Sequence, residues 1–229
     1  MTVVLLRHGR STSNTARTLA GRLPGVELDD RGREQAEAVV SRLSDVAVEE
    51  IVHSPLARCE QTVGPLARAR GLNPVVEPRL VEVDYGEWTG RKLEGLLQES
   101  LWKVVQQHAS AAVFPGGEGL AQVQARAVAA VREHDTRLAE LHGRDVVWVA
   151  CTHGDVIKSI LADALGAHLD GFQRIVAEPA SISVVRYTST RPYVLKMNDT
   201  GADLAGVNTP PKSASTEVSG SVPGGEVRL

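Results

Sequence analysis

Aromatic side chains are scarce in this chain of 229 residues, at 3% of the sequence, and cysteine occurs only at Cys59 and Cys151. So few aromatic rings leave little surface on which unpaired nucleic-acid bases could stack. The two cysteines belong to no Cys-x-x-Cys or Cys/His zinc pattern, and they cannot form a disulfide framework. They fit a reducing compartment, so we expect a cytoplasmic protein.

The chain also lacks an excess of positive charge and any long apolar segment. Its formal net charge is −3, and nowhere do 18 consecutive apolar residues occur. A negative net charge gives no general attraction to nucleic acid or to an anionic membrane, and the apolar runs are too short to cross a bilayer. Met1–Leu6 lacks the basic start and long apolar stretch of a signal peptide. We therefore expect neither a nucleic-acid nor a membrane partner.

Apolar residues make up 42% of the chain and charged residues 23%, as in ordinary soluble domains. The length suits one domain with a single core. Near the end of the chain the apolar periodicity stops, and in residues 206–229 Pro, Gly and Ser supply 11 of 24 positions. We predict one folded domain over residues 1–204 and a disordered tail over 205–229.

The continuous apolar run Val3–Leu6, and the segment 145–151, which is apolar after Asp145, predict strands that are buried on both faces of a parallel sheet. Helical spacing of apolar residues follows Asp29 and Asp30, either of which can cap a helix, and it also follows His153. The remaining predicted strands lie at 51–52, 181–187 and 193–197, and the remaining helices at 56–70, 92–107 and 118–142. This alternation predicts an α/β fold, a single three-layer α/β/α domain with a mostly parallel central sheet.

His8 and His153 stand in the same local setting, because each follows a buried strand, precedes a helix and is followed by glycine. Ligands of α/β sheets bind beyond the carboxyl ends of strands, and helix N-termini attract anions. Arg7 adjoins the first histidine, and Arg58 lies at a third junction between strand and helix. Guanidinium groups hold phosphate through paired hydrogen bonds. The pattern predicts an anion site made of two histidines and two arginines.

A set of short motifs extends this pattern along the chain. The first is Leu-Arg-His-Gly-Arg-Ser at 6–11, and the others occupy 28–36, 54–62, 79–90, 114–119 and 152–154. In residues, order and spacing these motifs resemble the histidine phosphatase superfamily, which has the phosphoglycerate-mutase-like fold. The resemblance spans roughly residues 1–200, and several motifs in family order are a far more specific signal than a lone Arg-His-Gly.

The resemblance implies that His8 is the nucleophile and carries the phosphoryl group between two half-reactions. Arg7, Arg58 and His153 would neutralise charge on the phosphate oxygens. The positive charges would also keep the nucleophile unprotonated, as an attacking nitrogen must be. Glu82 would protonate the leaving alkoxide, which requires a raised pKa. Burial would raise that pKa and the arginines would lower it, so the sequence leaves the outcome open.

Glu82 has two neighbouring carboxylates, Asp84 and Glu87, and either of them or an external acid is an alternative proton donor. The resemblance assigns phosphate and substrate binding to Arg7, Gly9, Ser11, Asn14, Gly21, Arg58, His153 and Gly154. No metal or other cofactor is expected, because the guanidinium groups supply the positive charge that a metal ion supplies elsewhere. The five other histidines show no metal-ligand spacing.

Three sequence features favour a hydrolase over a mutase. The mutase branch typically has Trp where Ser13 stands and Thr where Ala20 stands, and residues 114–118 resemble the phosphatase branch. We predict a phosphomonoesterase that acts on a small phosphate ester, with phosphoglycerate mutase or another phosphomutase as the alternative. A catalytically inactive module that binds phosphorylated partners is a third interpretation, against which the intact histidines and candidate acid speak. The oligomeric state is open, with a homodimer as the first candidate.

Overall fold

The computed structural model describes residues 1–201. The predicted tail at 205–229, and with it the predicted domain boundary at residue 204, lies outside the described residues. The described strands form one sheet and are β1 (Thr2–Arg7), β2 (Val48–His53), β3 (Val75–Val76), β4 (Val147–Thr152), β5 (Ile182–Tyr187) and β6 (Pro192–Asp199). Their order across the sheet is β3-β2-β4-β1-β5-β6.

The sheet is mixed and mostly parallel. β1 and β2 each pair with β4 in parallel, and β3 pairs with β2 in parallel, whereas β5 is antiparallel to both of its neighbours. In the register of β1 and β4, Arg7 lies beside Thr152. The next residues, His8 and His153, therefore leave the sheet side by side at its carboxyl edge. The prediction of an α/β fold with a mostly parallel sheet is confirmed.

The α-helices lie between the strands. They are α1 (Thr12–Thr15), α2 (Asp30–Arg42), α3 (Ala57–Arg70), α4 (Leu93–Leu96), α5 (Ser100–Gln107), α6 (Leu120–His142) and α7 (Gly154–Ala164). Of the two predicted caps of α2 the structure uses Asp29, whose Oδ1 accepts a hydrogen bond from the Gly32 N–H at 2.8 Å. None of the helices in residues 1–201 has the length and apolar character of a membrane span.

Helices cover both faces of the sheet. Every residue of β1 is buried, and successive side chains of a strand point to opposite faces. Val4 and Leu6 accordingly pack in the core that includes α2 and α3, whereas Val3 and Leu5 pack in the core that includes α6 and α7. The continuous apolar run of the sequence thus has a direct cause, and the three-layer α/β/α architecture is confirmed.

The structure divides the helix that was predicted over 92–107 into α4 and α5. The buried side chains are Leu93 and Leu96 in α4, and Trp102 and Val105 in α5. Because six residues are not a whole number of helical turns, an unbroken helix would direct Trp102 away from the side that Leu96 faces. The break lets both pairs enter one core. The prediction of a single helix here was wrong.

Candidate active site

Two buried histidine rings meet at the carboxyl edge of the sheet. His8 follows β1 and His153 follows β4, and the parallel register of these strands places the ring centroids 5.2 Å apart. The planes of the rings are inclined at 60°. His8 is 3% exposed and His153 is fully buried. The structure therefore brings together two residues that are far apart in the chain but equivalent in their local sequence.

Arg58 joins the two rings from the first turn of α3. Its Nε donates to His8 Nε2 at 3.3 Å, and its Nη2 donates to His153 Nδ1 at 3.2 Å. The same Nη2 donates to the carbonyl oxygen of Gly21 at 2.9 Å. With 2% of its surface exposed, this guanidinium is held in place by protein groups rather than by water.

The hydrogen bonds assign a tautomer to each ring. His8 Nδ1 lies 2.7 Å from the carbonyl oxygen of Gly9, which can only accept, so Nδ1 carries the proton and Nε2 keeps a lone pair. In His153, Nδ1 receives a hydrogen bond from Arg58, which can only donate. His153 Nε2 therefore carries the proton and donates to Ser54 Oγ at 2.7 Å.

Both rings are held in the neutral form. Burial is the main cause that places the pKa of His8 well below its ordinary value, and the positive charges of Arg58 and Arg7 lower it further. Burial and Arg58 likewise lower the pKa of His153. The sequence predicted the effect of the arginines, and the structure adds that desolvation is larger.

Glu82 lies against the second histidine. Its Oε2 is 3.9 Å from His153 Nδ1, its Oε1 accepts the Val83 N–H at 2.9 Å, and the residue is 3% exposed. Burial, followed by the charge of Asp155, raises the pKa of Glu82 to about 7, while Arg58 and Arg7 act in the opposite direction. Of the two opposing effects named from the sequence, burial prevails.

The two alternative acids lie elsewhere. Asp84 accepts the Gly86 N–H at 3.0 Å and lies 3.6 Å from a nitrogen of Arg22, and Glu87 is exposed. Neither of them lines the pocket into which the Glu82 carboxylate is set. The geometry therefore favours Glu82 among the three neighbouring carboxylates.

A pocket opens beside the histidines and the arginine. Its lining residues are His8, Ser11, Asn14, Thr18, Leu19, Ala20, Gly21, Arg58, Glu82 and Leu93. Six of the residues singled out from the sequence are in this set. Arg7 and His153, which are fully buried, lie outside it. One nitrogen of Arg7 donates to the Ala177 carbonyl oxygen at 2.7 Å.

Ser11 and Asn14 form the wall at α1. Asn14 Oδ1 accepts from the Ser11 N–H at 2.9 Å and from Ser11 Oγ at 2.8 Å, which closes a capping box. Gly21 has a φ of +50°, a conformation that favours glycine, and presents its carbonyl oxygen to Arg58. Gly154 is the first residue of α7.

Gly9 serves the packing of the loop that carries His8. A Cβ at this position would come within 2.6 Å of the Gly32 carbonyl oxygen, so only glycine permits this approach to α2. The Gly9 N–H donates to Thr62 Oγ1 at 2.9 Å. Of the predicted phosphate-binding residues, Gly9 and Gly154 therefore stand at the ends of strands without lining the pocket.

Sequence reasoning missed the residues that hold the Glu82 segment. Arg22 Nε and Arg126 Nη2 donate to the Glu82 carbonyl oxygen at 3.0 and 3.2 Å. Both arginines also bond to Glu118 Oε2, at 2.7 and 3.0 Å, and this oxygen accepts the Asp84 N–H as well. Glu118 belongs to the motif at 114–119, and that motif was the signal from which its role could have been suspected.

Comparison with known proteins decides the family. The sequence model described as histidine phosphatase superfamily (branch 1) matches residues 3–200. This chain belongs to the histidine phosphatase superfamily. The resemblance that the motifs indicated is confirmed.

The relatives of this histidine phosphatase include both phosphatases and mutases. Phosphoserine phosphatase 1 of Hydrogenobacter thermophilus is 30% identical over 201 residues, which are 86% of this chain and 92% of that protein. A protein of Yersinia pestis named probable phosphoglycerate mutase is 30% identical over 187 residues, covering 81% of this chain and 84% of that protein.

Solved structures give the same fold. The mycobacterial glucosyl-3-phosphoglycerate phosphatase in complex with VO3 matches with a TM-score of 0.78 and 27% identity, over 86% of this chain and 98% of that chain. An alpha-ribazole phosphatase from Shigella flexneri matches with a TM-score of 0.74 at 23% identity, over 87% of this chain and 97% of that chain, which speaks for the fold alone. Together with the family, these similarities identify this histidine phosphatase as an enzyme that hydrolyses phosphate esters.

The site of this histidine phosphatase combines a neutral imidazole with a lone pair, a guanidinium beside it and a carboxyl group that titrates near neutral pH. Groups of these kinds can serve as a nucleophile, as a neutraliser of phosphate charge and as a proton donor. Within residues 1–201, no three His, Cys, Asp or Glu side chains are grouped so as to hold a metal ion.

Proposed function

We propose that this histidine phosphatase hydrolyses small phosphate monoesters through a phosphohistidine formed at Nε2 of His8. The observation that carries the proposal is the state of this nitrogen. Nδ1 of the same ring donates to the Gly9 carbonyl, so Nε2 keeps an electron pair, which accepts a hydrogen bond from Arg58 at 3.3 Å. His8 lines the pocket together with Arg58 and Glu82. A phosphate in the pocket can therefore meet nucleophile, cation and acid at once.

In the first half-reaction, His8 Nε2 attacks phosphorus in line with the ester oxygen. The N–P bond forms as the P–O bond to the leaving group breaks, and the Glu82 carboxyl gives its proton to the departing alkoxide. Arg58 donates to His8 Nε2 in the free enzyme, and we propose that its guanidinium turns this hydrogen bond toward a phosphate oxygen on substrate binding.

In the second half-reaction, a water molecule attacks the phosphohistidine. Glu82, now a carboxylate, accepts a proton from the water, the P–N bond breaks, and inorganic phosphate leaves with His8 returned to its neutral state. Because one carboxyl group donates in the first step and accepts in the second, a pKa near neutrality suits both.

Glu82→Gln tests the assignment of the acid. An amide cannot donate the proton, so we expect kcat on an alkyl phosphate to fall by about 10²–10⁴-fold. An aryl phosphate, whose phenoxide leaves without protonation, should lose far less. Glu87→Gln, at an exposed carboxyl in the same segment, is the matched control and should keep both rates. Equal losses on both esters for Glu82→Gln would contradict the assignment.

The organic part of the substrate is the part that the site defines least. Besides the charged and imidazole groups, the pocket is lined by both polar and apolar side chains, which are Ser11, Asn14, Thr18, Leu19, Ala20 and Leu93. We propose a small monoester, and two relatives act, by their names, on phosphoserine and on glucosyl-3-phosphoglycerate. Hydrolysis rates across phosphoamino acids, phosphoglycerates, sugar phosphates and nucleotides, with His8→Ala as the blank, test this proposal.

A phosphomutase is the second candidate, and the relative named probable phosphoglycerate mutase is the observation in its favour. Both reactions pass through a phosphohistidine and differ in whether the phosphoryl group returns to the substrate or goes to water. Phosphorus NMR of 3-phosphoglycerate with the enzyme separates them. Hydrolysis releases inorganic phosphate, whereas isomerisation to 2-phosphoglycerate without phosphate release would contradict the hydrolase proposal.

We also propose that the enzyme is a cytoplasmic homodimer. Cys59 and Cys151 are both buried as free thiols, which fits a reducing compartment, and two-fold dimers are the commonest assemblies of soluble proteins. Sedimentation equilibrium on the full chain tests the dimer, and fractionation of the producing cell tests the compartment. A mass of one chain, or recovery outside the cytoplasm, would contradict the respective proposal.

A further inference from the structure

Behind Glu82 lies a buried ion pair that the reaction steps above do not use. Asp155 and Lys158 stand one turn apart at the start of α7, and both are 0% exposed. Lys158 Nζ is 3.1 Å from Asp155 Oδ1. Removing two charges from water costs several kcal/mol per ion, and buried ion pairs are often replaced by apolar residues without loss of stability. Stability alone therefore gives no reason for charged residues at these positions.

The pair is fixed by two further polar groups. Lys158 Nζ donates to Gln173 Oε1 at 2.5 Å and lies 4.4 Å from the centre of the Phe172 ring. Tyr85 donates its hydroxyl to Asp155 Oδ2 at 2.7 Å. The Asp155 carboxylate is thus bonded on both oxygens, and it has one defined orientation.

The chain connects this pair to the active site in two ways. Asp155 is two residues after His153, whose Nδ1 is 3.9 Å from Glu82 Oε2. Tyr85 is three residues after Glu82 and bonds directly to Asp155. The segment of the candidate acid and the start of α7 are therefore tied together next to the carboxyl group that donates the proton.

Charged groups face Glu82 from several elements. Arg7 at the end of β1 and Arg58 on α3 favour its ionised form. Asp155 on α7 is the negative charge that opposes them and, after burial, raises the pKa of Glu82 most. The pKa of Lys158 is lowered by burial, while Asp155 and Glu82 act to keep it charged. The rings of His153 and His8, which also face this region, are held neutral mainly by burial.

We propose that Asp155 and Lys158 are positioning residues that keep the Glu82 carboxyl group protonated and oriented for proton donation. The inference rests on the proposed function. Asp155 supplies a fixed negative charge behind the acid. This charge offsets the effect on Glu82 of the two arginines that bind the phosphate. Lys158 pairs with that carboxylate at 3.1 Å, and Tyr85 and Gln173 hold the pair in place. The fold thereby separates the charges that bind the phosphate from the charge that controls the acid.

Asp155→Asn tests the proposal, because the amide preserves the shape and removes the negative charge. In the pH profile of kcat/KM for an alkyl phosphate, the alkaline limb reports the loss of the proton from the acid. We expect this limb to move to lower pH by about one unit. The rate on an aryl phosphate should keep its value. Asp135→Asn is the matched control, since Asp135 is a part-buried carboxylate bonded to Trp148 Nε1 far from Glu82, and it should leave the limb in place.

Two further variants keep the test decisive. Should Asp155→Asn fail to fold, the double variant Asp155→Asn/Lys158→Gln removes both charges together and should show a smaller downward shift, because the positive charge of Lys158 also acts on Glu82 and opposes the effect of Asp155. In a Glu82→Gln background, Asp155→Asn should cause no further change in the pH profile, because the residue acts through the acid. Loss of activity on both esters at every pH, without a shift of the limb, would reduce the pair to a structural role and overturn the proposal.

The two levels of inference fail in different ways. Absence of hydrolysis and of phosphoenzyme in the wild type would refute the proposed function. A wild type that hydrolyses esters through Glu82, together with an unmoved limb in Asp155→Asn and in the double variant, would refute only the role of the buried pair.

Discussion

His8 and His153 follow the carboxyl ends of paired strands and precede glycine, yet the partners of their ring nitrogens differ. His8 bonds to its own loop through Nδ1 and directs Nε2 toward Arg58 and the pocket. His153 is bonded on both nitrogens, by Arg58 and by Ser54, and it lies outside the pocket lining. Both rings are bonded on both nitrogens, but only His8 lines the pocket, and it is therefore the ring to which we assign the covalent step.

The difference arises from elements remote in sequence. Ser54 follows β2 and bonds to His153, and Glu82, in the segment that follows β3, lies 3.9 Å from Nδ1 of the same ring. We propose that the side chains contributed by neighbouring strands decide whether a histidine at a strand end acts as a nucleophile or positions other groups. The following predictions test this division of roles, from the largest expected effect to the smallest.

Replacement of the nucleophile should have the largest effect. His8→Ala removes the only nitrogen to which we assign the covalent step, so kcat/KM should fall about 10⁴-fold or more. No acid-labile phosphoenzyme should form with radiolabelled substrate. A phosphoenzyme that persists in His8→Ala and disappears in His153→Ala would reverse the assigned roles of the two rings.

Replacement of the second histidine should cost less. His153→Asn removes a ring that we expect to stabilise charge on the phosphate oxygens, so kcat should fall by about 10²–10³-fold while the phosphoenzyme still forms. His53→Asn is the matched control. His53 is also a buried histidine at a strand end, but it is not among the residues that line the pocket with His8. Its Nδ1 bonds to the Ser54 carbonyl oxygen at 2.8 Å. Its activity should remain near that of the wild type.

The carboxyl group beside His153 should influence stability as a function of pH. The pKa of Glu82 is raised from 4.5 to about 7, so between these values the folded chain holds a proton that the unfolded chain releases. The free energy of unfolding therefore falls as pH rises through this window. Glu82→Gln avoids that loss and should be more stable than the wild type by about 2–3 kcal/mol near pH 8, with no gain near pH 4.

Urea unfolding of both proteins at the two pH values measures this difference. Glu87→Gln, at an exposed neighbouring carboxyl, should show no such dependence on pH. An equal gain for Glu82→Gln at both pH values would mean that the carboxyl titrates normally in the folded protein.

The smallest effect is expected at the hydroxyl that supports His153. Ser54→Ala leaves the buried His153 Nε2–H with only the weaker acceptor Cys59 Sγ at 3.6 Å, which costs about 1–1.5 kcal/mol or roughly tenfold in kcat. Ser54→Thr, which retains a hydroxyl, should restore most of the rate. Ser41→Ala on the exposed surface of α2 serves as the control. An unchanged rate for Ser54→Ala would show that Arg58 and Cys59 suffice to hold the ring.

Much of this architecture could be predicted from the sequence because it depends on local signals. The apolar run of β1 predicted a strand covered on both faces, and the positions of His8 and His153 after such runs predicted that they meet at one edge. Asp29 as a helix cap is likewise a matter of a few neighbouring residues. Where only short-range chemistry decides, the sequence is sufficient.

Other features depend on contacts across the chain. The break between α4 and α5 follows from the side of the core that Leu96 and Trp102 reach, which spacing within one helix does not reveal. The pKa of Glu82 depends on a balance of burial and charges from several elements. The pairing of Lys158 with Gln173 joins α7 to a later segment, and no motif marked either residue.

The close approach of Gly9 and Gly32 has a consequence for protein engineering. A Cβ at Gly32 would stand 2.0 Å from the Arg10 carbonyl oxygen, so the backbones of the nucleophile loop and of α2 touch with no side chain between them. A displacement of α2 along the sheet would therefore move the loop of His8 directly, because no side chain lies between the two backbones. Replacement of Gly32 by alanine would therefore disturb the loop of His8 although every pocket residue stays unchanged.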